Sequence, residues 1–176
     1  MKEELVILVD NQDQEVGVME KMQAHREGLL HRAFSVFIFD QQDNMLLHQR
    51  AFEKYHSGGL WTNACCSHPR PGESVQEAAD RRLMEEMGFH CSLNPSFSFI
   101  YQTEFDNGLT EHELDHVFVG EFDGEPRPEP SEVAAWKFVS LEYIQAQLKQ
   151  QPQDYTVWFR IAFEKLMQHS NKLKQQ

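Results

Sequence analysis

The 176-residue chain carries a formal charge of −12, with 16 Lys and Arg against 28 Asp and Glu. Such a surface repels nucleic acid and anionic membranes, but it admits a small anionic ligand if the scarce cations gather at one place. At 40% hydrophobic and 25% charged residues the composition is globular, excludes disorder and suits a single domain over residues 1–176.

In chain order, the first residues (Met-Lys-Glu-Glu) place acids where a secretory or transit signal needs basic and apolar residues, and no apolar run reaches membrane-spanning length, so a cytoplasmic location is expected. Leu5–Val9 and Val16–Met19 read as strands around a turn at Asp10 to Gln14, and Ala33–Phe39 pairs with Met45–Gln49 around Asp40 to Asn44. Ser74 and Glu77 make a capping box that starts a helix, which Gly88 ends. Phe97–Phe105 and Glu111–Phe122 read as strands about Asp106-Asn107-Gly108, and Ala135–Val139 as another. Ser140–Gln150 and Asp154–Lys172 close the chain as helices, the second with Val157, Trp158, Ile161, Ala162 and Leu166 at helical spacing. The fold class is therefore α+β, a mixed and mostly antiparallel sheet flanked by helices.

The three cysteines (Cys65, Cys66 and Cys91) are odd in number and two are adjacent, which points to free thiols. On the helix from Val75, the apolar face of Ala78, Ala79, Leu83 and Met87 also carries Arg82 and Glu86, with Glu85 at its edge. Inward charges need a partner or a metal, and an Arg82–Glu86 pair one turn apart satisfies that by itself. His25, His31 and His68, with Glu111 and Glu113 on one face of their strand, make a five-ligand set for a divalent cation with one open position.

Glu73, Arg81, Leu83, Glu85, Glu86 and Gly88 stand where the Nudix box has its residues, while Ser67 and Arg82 replace a Gly and a Glu of that motif. The stretches Gln49-Arg50-Ala51 with Lys54, Gly59-Leu60-Trp61-Thr62-Asn63, Cys66-Ser67-His68-Pro69, Gly72-Glu73-Ser74 and Glu111-x-Glu113 extend the likeness. Together they resemble the type 1 isopentenyl-diphosphate isomerases, a divergent Nudix family, from about Leu5 into the last helix.

The resemblance implies a Nudix-like fold with an added N-terminal strand and C-terminal helix. It implies interconversion of isopentenyl and dimethylallyl diphosphate, with Cys66 and Glu113 as the catalytic acid/base pair. His25, His31, His68, Glu111 and Glu113 would hold Mn²⁺, Mg²⁺ or Zn²⁺, and Glu86 with the Cys66 carbonyl a Mg²⁺ on the diphosphate. Lys21, Arg50, Lys54 and Arg82 would bind the diphosphate, and Tyr101 and Trp158 line the pocket. Glu113 is expected to protonate the alkene and Cys66, as a thiolate favoured by nearby positive charge, to deprotonate it. Only loop register selects Cys66 over Cys65, and only helical angle and motif position select Glu86 over Glu85. The expected partner is a small isoprenoid diphosphate acted on by a monomer or weak homodimer. No flavin is expected, because no Gly-rich dinucleotide motif occurs. The alternative is a Nudix hydrolase of a nucleoside or coenzyme A diphosphate, which accounts for the box but not for Cys66, the histidines or Arg82.

Overall fold

A computed structural model describes residues 4–174. Its strands join into one nine-stranded mixed sheet with helices on both faces, an α+β architecture as expected. The hairpin β1 (Leu5–Val9) and β2 (Glu15–Glu20) is followed by a short helix α1 (Lys21–Glu27) and the central strand β3 (His31–Phe39). Then come β4 (Met45–Arg50), the short β5 (Trp61–Thr62) and β6 (Cys65–Ser67), and α2 (Val75–Met87). The long hairpin β7 (Leu93–Glu104) and β8 (Thr110–Glu121), β9 (Val133–Val139), α3 (Leu141–Gln150) and α4 (Val157–Lys174) complete the described chain.

β3 runs parallel to β8 and antiparallel to β6, and every other pairing of these strands is antiparallel. The alternation of β3 divides the core. Phe34, Val36 and Ile38 pack against Ala78, Ala79, Leu83 and Met87 of α2, whereas Phe37 joins Phe99, Val117 and the α4 residues Trp158, Phe159, Ala162 and Phe163 on the other face. Each of the larger of these buried side chains contributes roughly 1.5–3 kcal/mol, which holds both helices to the sheet.

Local sequence explains where the elements differ from expectation. α1 begins on a Glu cap, Glu20, whose carboxylate accepts from the Met22 and Gln23 amides at 2.8 Å; so short a helix without the usual cap residues leaves little periodic signal. α4 starts at Val157 instead of Asp154, because Pro152–Asp154 forms a 3₁₀ turn and the Phe159 amide donates to Thr156 Oγ1 at 3.3 Å. β5 and β6 are too short for any alternation to show. The Ser74–Glu77 capping box and the left-handed Gly88 cap are both present on α2. Among the described residues, no helix is long and apolar enough to cross a membrane.

Candidate active site

The strand register assembles the site. His31 is the Cα partner of Glu113 across β3–β8, Tyr101 partners Glu113 across β7–β8, and Ser35 partners Cys66 across β3–β6. Cys66 and Glu113 thus ride on the two strands that flank β3. Both line one cavity with Lys21, Arg50, Lys54, His68, Arg82, Glu86, Tyr101, Glu111 and Trp158. His25 and His31 sit behind it, fully buried.

His25, His31, His68 and Glu113 each present one ligand atom, all within 4.8 Å of one another. Nδ1 of His25 is 2.8 Å from the Lys21 carbonyl and Nδ1 of His31 is 2.8 Å from the Leu29 carbonyl. A carbonyl only accepts, so in both rings Nδ1 carries a proton; in His25 this leaves Nε2 a lone pair turned to the cluster, while His31 Nε2 turns to Glu113. Both Nε2 atoms are buried without a hydrogen-bond partner. Such a donor set fits a divalent cation. Burial, helped by the neighbouring His68 and His31, pulls the His25 pKa down to about 3, which leaves that lone pair free near neutral pH. Burial alone would do the same to His31, but Glu113 outweighs it and the His31 pKa rises.

Glu113 Oε1 lies 2.9 Å from His68 Nε2 and 3.5 Å from His31 Nε2. Burial would raise its pKa, yet the His31 and His68 imidazoles beside it hold it well below the ordinary carboxylate range. The Tyr101 hydroxyl is 2.7 Å from Glu113 Oε2 and 2.9 Å from Glu111 Oε2. Glu111 is not in the tight four-residue cluster; its Oε1 instead stands 2.8 Å from His56 Nε2.

Across the cavity, the Cys66 thiol donates to Asn63 Oδ1 at 3.1 Å and lies 3.4 Å from Ser35 Oγ. The Asn63 amide donates to the Val36 and Cys65 carbonyls, both at 3.0 Å, which fixes its oxygen toward the thiol. Ser35 Oγ donates to Asp115 Oδ2 at 2.7 Å. Burial, then the Asp115 carboxyl, pushes the Cys66 pKa up. The groups against Sγ are neutral or acidic, so the positive charge expected beside a thiolate does not come from these neighbours. Cys65 faces the α2 core, fully buried, so the loop register does separate the two cysteines.

The basic residues converge but come with acids. Lys54 pairs with Glu132 at 2.6 Å, and Lys21 with Glu4 at 3.1 Å. Arg82 pairs tightly with Glu86, with Glu85 at 2.8 Å and with Glu132 at 3.7 Å. Burial raises the Glu86 pKa despite that guanidinium, whereas Glu85 is exposed on the helix edge. Arg81 grips Glu73 through two nitrogens at 2.7 and 2.9 Å, so these two box residues tie the loop to the helix. Arg50 places its guanidinium 5.1 Å from the Trp158 ring centre. Sequence reasoning missed Ser35, His56, Asp115 and Glu132. Only Asp115 had a signal, as the next inward position after Glu111 and Glu113.

The fold and this acid-lined helix define a class. The family model for the NUDIX domain matches residues 29–159, and the chain belongs to that family. Solved structures of a MutT protein from Methanosarcina mazei (TM-score 0.67, 20% identity, 80% of this chain and 95% of that one) and of a MutT NUDIX hydrolase from Burkholderia pseudomallei (TM-score 0.60, 24% identity, 77% and 96%) share the fold.

Within that class the sequence is similar to isopentenyl-diphosphate Delta-isomerases. It is 51% identical over 163 residues to that of Burkholderia multivorans (93% of each chain) and 51% identical over 165 residues to isomerase 1 of Aromatoleum aromaticum (94% and 93%). It is 50% identical over 161 residues to that of Pectobacterium atrosepticum (92% and 90%). The chain belongs to the isopentenyl-diphosphate Delta-isomerase family.

Proposed function

We propose that this chain interconverts isopentenyl diphosphate and dimethylallyl diphosphate by adding a proton at one carbon and removing another from a neighbour. The observation that supports it most is a thiol, Cys66, and a carboxylate, Glu113, on opposite flanks of β3 and lining one cavity. A double-bond shift needs such a pair, because one group must give a proton while the other accepts one.

Glu113, backed by the Tyr101 phenol, is the donor to carbon and Cys66 the acceptor, as the sequence led one to expect. The reverse reaction exchanges the roles. The cation formed between the two transfers sits near the buried indole of Trp158, whose ring face stabilises positive charge while the packed aromatic wall keeps water out. Lys21, Arg50, Lys54 and Arg82 bind the diphosphate, which displaces some of their carboxylate partners.

His25, His31, His68, Glu111 and Glu113 would hold a Mn²⁺, Mg²⁺ or Zn²⁺ ion, and Glu86 with the Cys66 carbonyl a Mg²⁺ on the diphosphate. Cations bound there would supply positive charge that makes a protonated Glu113 more acidic and neutralises the diphosphate. The reading is of a cytoplasmic enzyme, monomeric or weakly dimeric, with no flavin.

Incubation with isopentenyl diphosphate and Mg²⁺ in deuterated water tests this. Deuterium enters dimethylallyl diphosphate with the intact chain, and Cys66→Ala or Glu113→Gln abolishes it. No exchange in the intact, metal-supplied protein refutes the isomerase reading. Release of phosphate or a nucleoside monophosphate from nucleotide diphosphates would favour the hydrolase, against which stands Arg82 in the place of a box acid.

A further inference from the structure

The connection between β4 and β5 is shaped in a way that its length alone does not require. Ser57 adopts φ +53° and Gly59 φ +78°, and a Cβ on Gly58 would come within 2.4 Å of the Phe52 carbonyl oxygen. Side chains from outside clamp this loop: Gln49 Nε2 donates to the Gly59 carbonyl at 3.0 Å, Arg50 to the His56 carbonyl at 3.2 Å, and Asn107 to the Tyr55 carbonyl at 3.1 Å. A tight, left-handed turn held from several sides marks a segment that aims something.

What it aims is His56. The side chain is 3% exposed, stacks on Phe105 at 4.4 Å between ring centres, and meets the Trp158 ring edge-on at 5.7 Å. Its Nε2 stands 2.8 Å from Glu111 Oε1. A bare ring nitrogen that close to a carboxylate oxygen would repel it, so Nε2 carries the proton, and Nδ1 is left to accept from Ser57 Oγ at 3.3 Å. The approach is oblique to the ring N–H, and the nitrogen has no straight hydrogen bond. Glu111 is thus gripped at both oxygens, by Tyr101 at Oε2 and by His56 at Oε1. Glu111 stands outside the tight group formed by the other four candidate ligands.

We propose that His56 is a positioning residue for Glu111: it sets how far that carboxylate can swing toward a divalent cation held by the histidine cluster. The proposal rests on the cation reading given above. Partners of this kind behind a ligand are worth about 10–100-fold in metal affinity.

The test is Mn²⁺ titration of the metal-stripped full chain, followed by the loss of the free-ion electron paramagnetic resonance signal, with thermal melts of the same metal-free samples. His56→Phe keeps the stacking on Phe105 but has no N–H; it should weaken Mn²⁺ binding about ten-fold or more with an unchanged melting temperature. His56→Gln restores a donor and should recover most of the affinity. In a Glu111→Gln background, already weakened, His56→Phe should add nothing. Wild-type affinity in His56→Phe overturns the proposal alone, as does equal weakening in the Phe and Gln variants, which would mean that the ring and not its N–H matters. If His56→Phe does not fold, a His56→Gln variant as weak as Glu111→Gln overturns it, and one near wild type supports it. A wild-type chain that takes up no Mn²⁺ overturns the cation reading and this proposal with it.

Discussion

The Tyr101 hydroxyl lies 2.7 Å from Glu113 Oε2, and the two residues are direct Cα partners across the β7–β8 hairpin. Burial, together with the charges of Glu111 and Glu113, lifts the phenol pKa well above its ordinary value, while the carboxylate is held well below its own. The proton in this contact therefore rests on the phenol, and the bond is of the short charge-assisted kind. The same hydroxyl has Glu111 Oε2 at 2.9 Å, and one proton cannot satisfy both acids at once.

Tyr101→Phe removes that shared proton and leaves the binding cations in place. Turnover should fall about 100-fold or more, in the range of a lost acid/base partner, with the KM for isopentenyl diphosphate within about two-fold. Steady-state kinetics decide it, and an unchanged kcat would leave Tyr101 as a packing residue.

The Cys66 thiol keeps its proton because burial and Asp115 raise its pKa. In the metal-free chain, iodoacetamide labelling at Cys66 should accelerate with pH throughout the alkaline range and show no plateau near neutrality. Peptide mass mapping separates it from Cys65, whose pKa complete burial also raises. A plateau below pH 8 would show an activated thiolate instead.

Arg50 stacks over Trp158 and lines the cavity close to Lys54 and Arg82. Arg50→Ala should raise KM for the diphosphate about 10–100-fold, as expected for loss of a charged hydrogen-bond donor. Unfolding free energy should change by less than about 2 kcal/mol. An unchanged KM alongside a large loss of stability would reassign Arg50 to the fold.

His48 is buried with Nδ1 3.0 Å from the Ala64 carbonyl, and burial, then Arg50, lowers its pKa to about 4. The unfolded chain binds this proton near pH 6.5 while the folded chain refuses it until about pH 4. Stability from this group is thus complete above pH 6.5 and declines as pH falls toward 4, by on the order of 3 kcal/mol in all. Urea unfolding of metal-free protein at several pH values should show a shallower decline in His48→Gln across that window. Parallel profiles would count against it.

Much of the fold was written locally. The capping box at Ser74, the cap at Gly88, the alternation of Glu111 and Glu113 and the α4 stripe each depend on neighbours a few residues away, and each appears as read. β5 and β6 were not legible, because their order comes from partners elsewhere, and α1 was too short to show a period. β6, for instance, exists as a strand only through its pairing with Phe34, Ser35 and Val36.

For the site, the sequence by itself determined which residue types were available, and its motifs marked Cys66, the three histidines, the strand acids and the four cations. Only tertiary structure decided their company. The β3–β8 register put His31 beside Glu113, the β3–β6 register put Ser35 and through it Asp115 against Cys66, and the turn after β4 brought His56 to Glu111. Those neighbours push the Cys66 pKa up and hold that of Glu113 down. The physical reason is that a pKa depends on burial and on charges a few ångströms away, and such charges come from residues far along the chain that no local spacing can reveal.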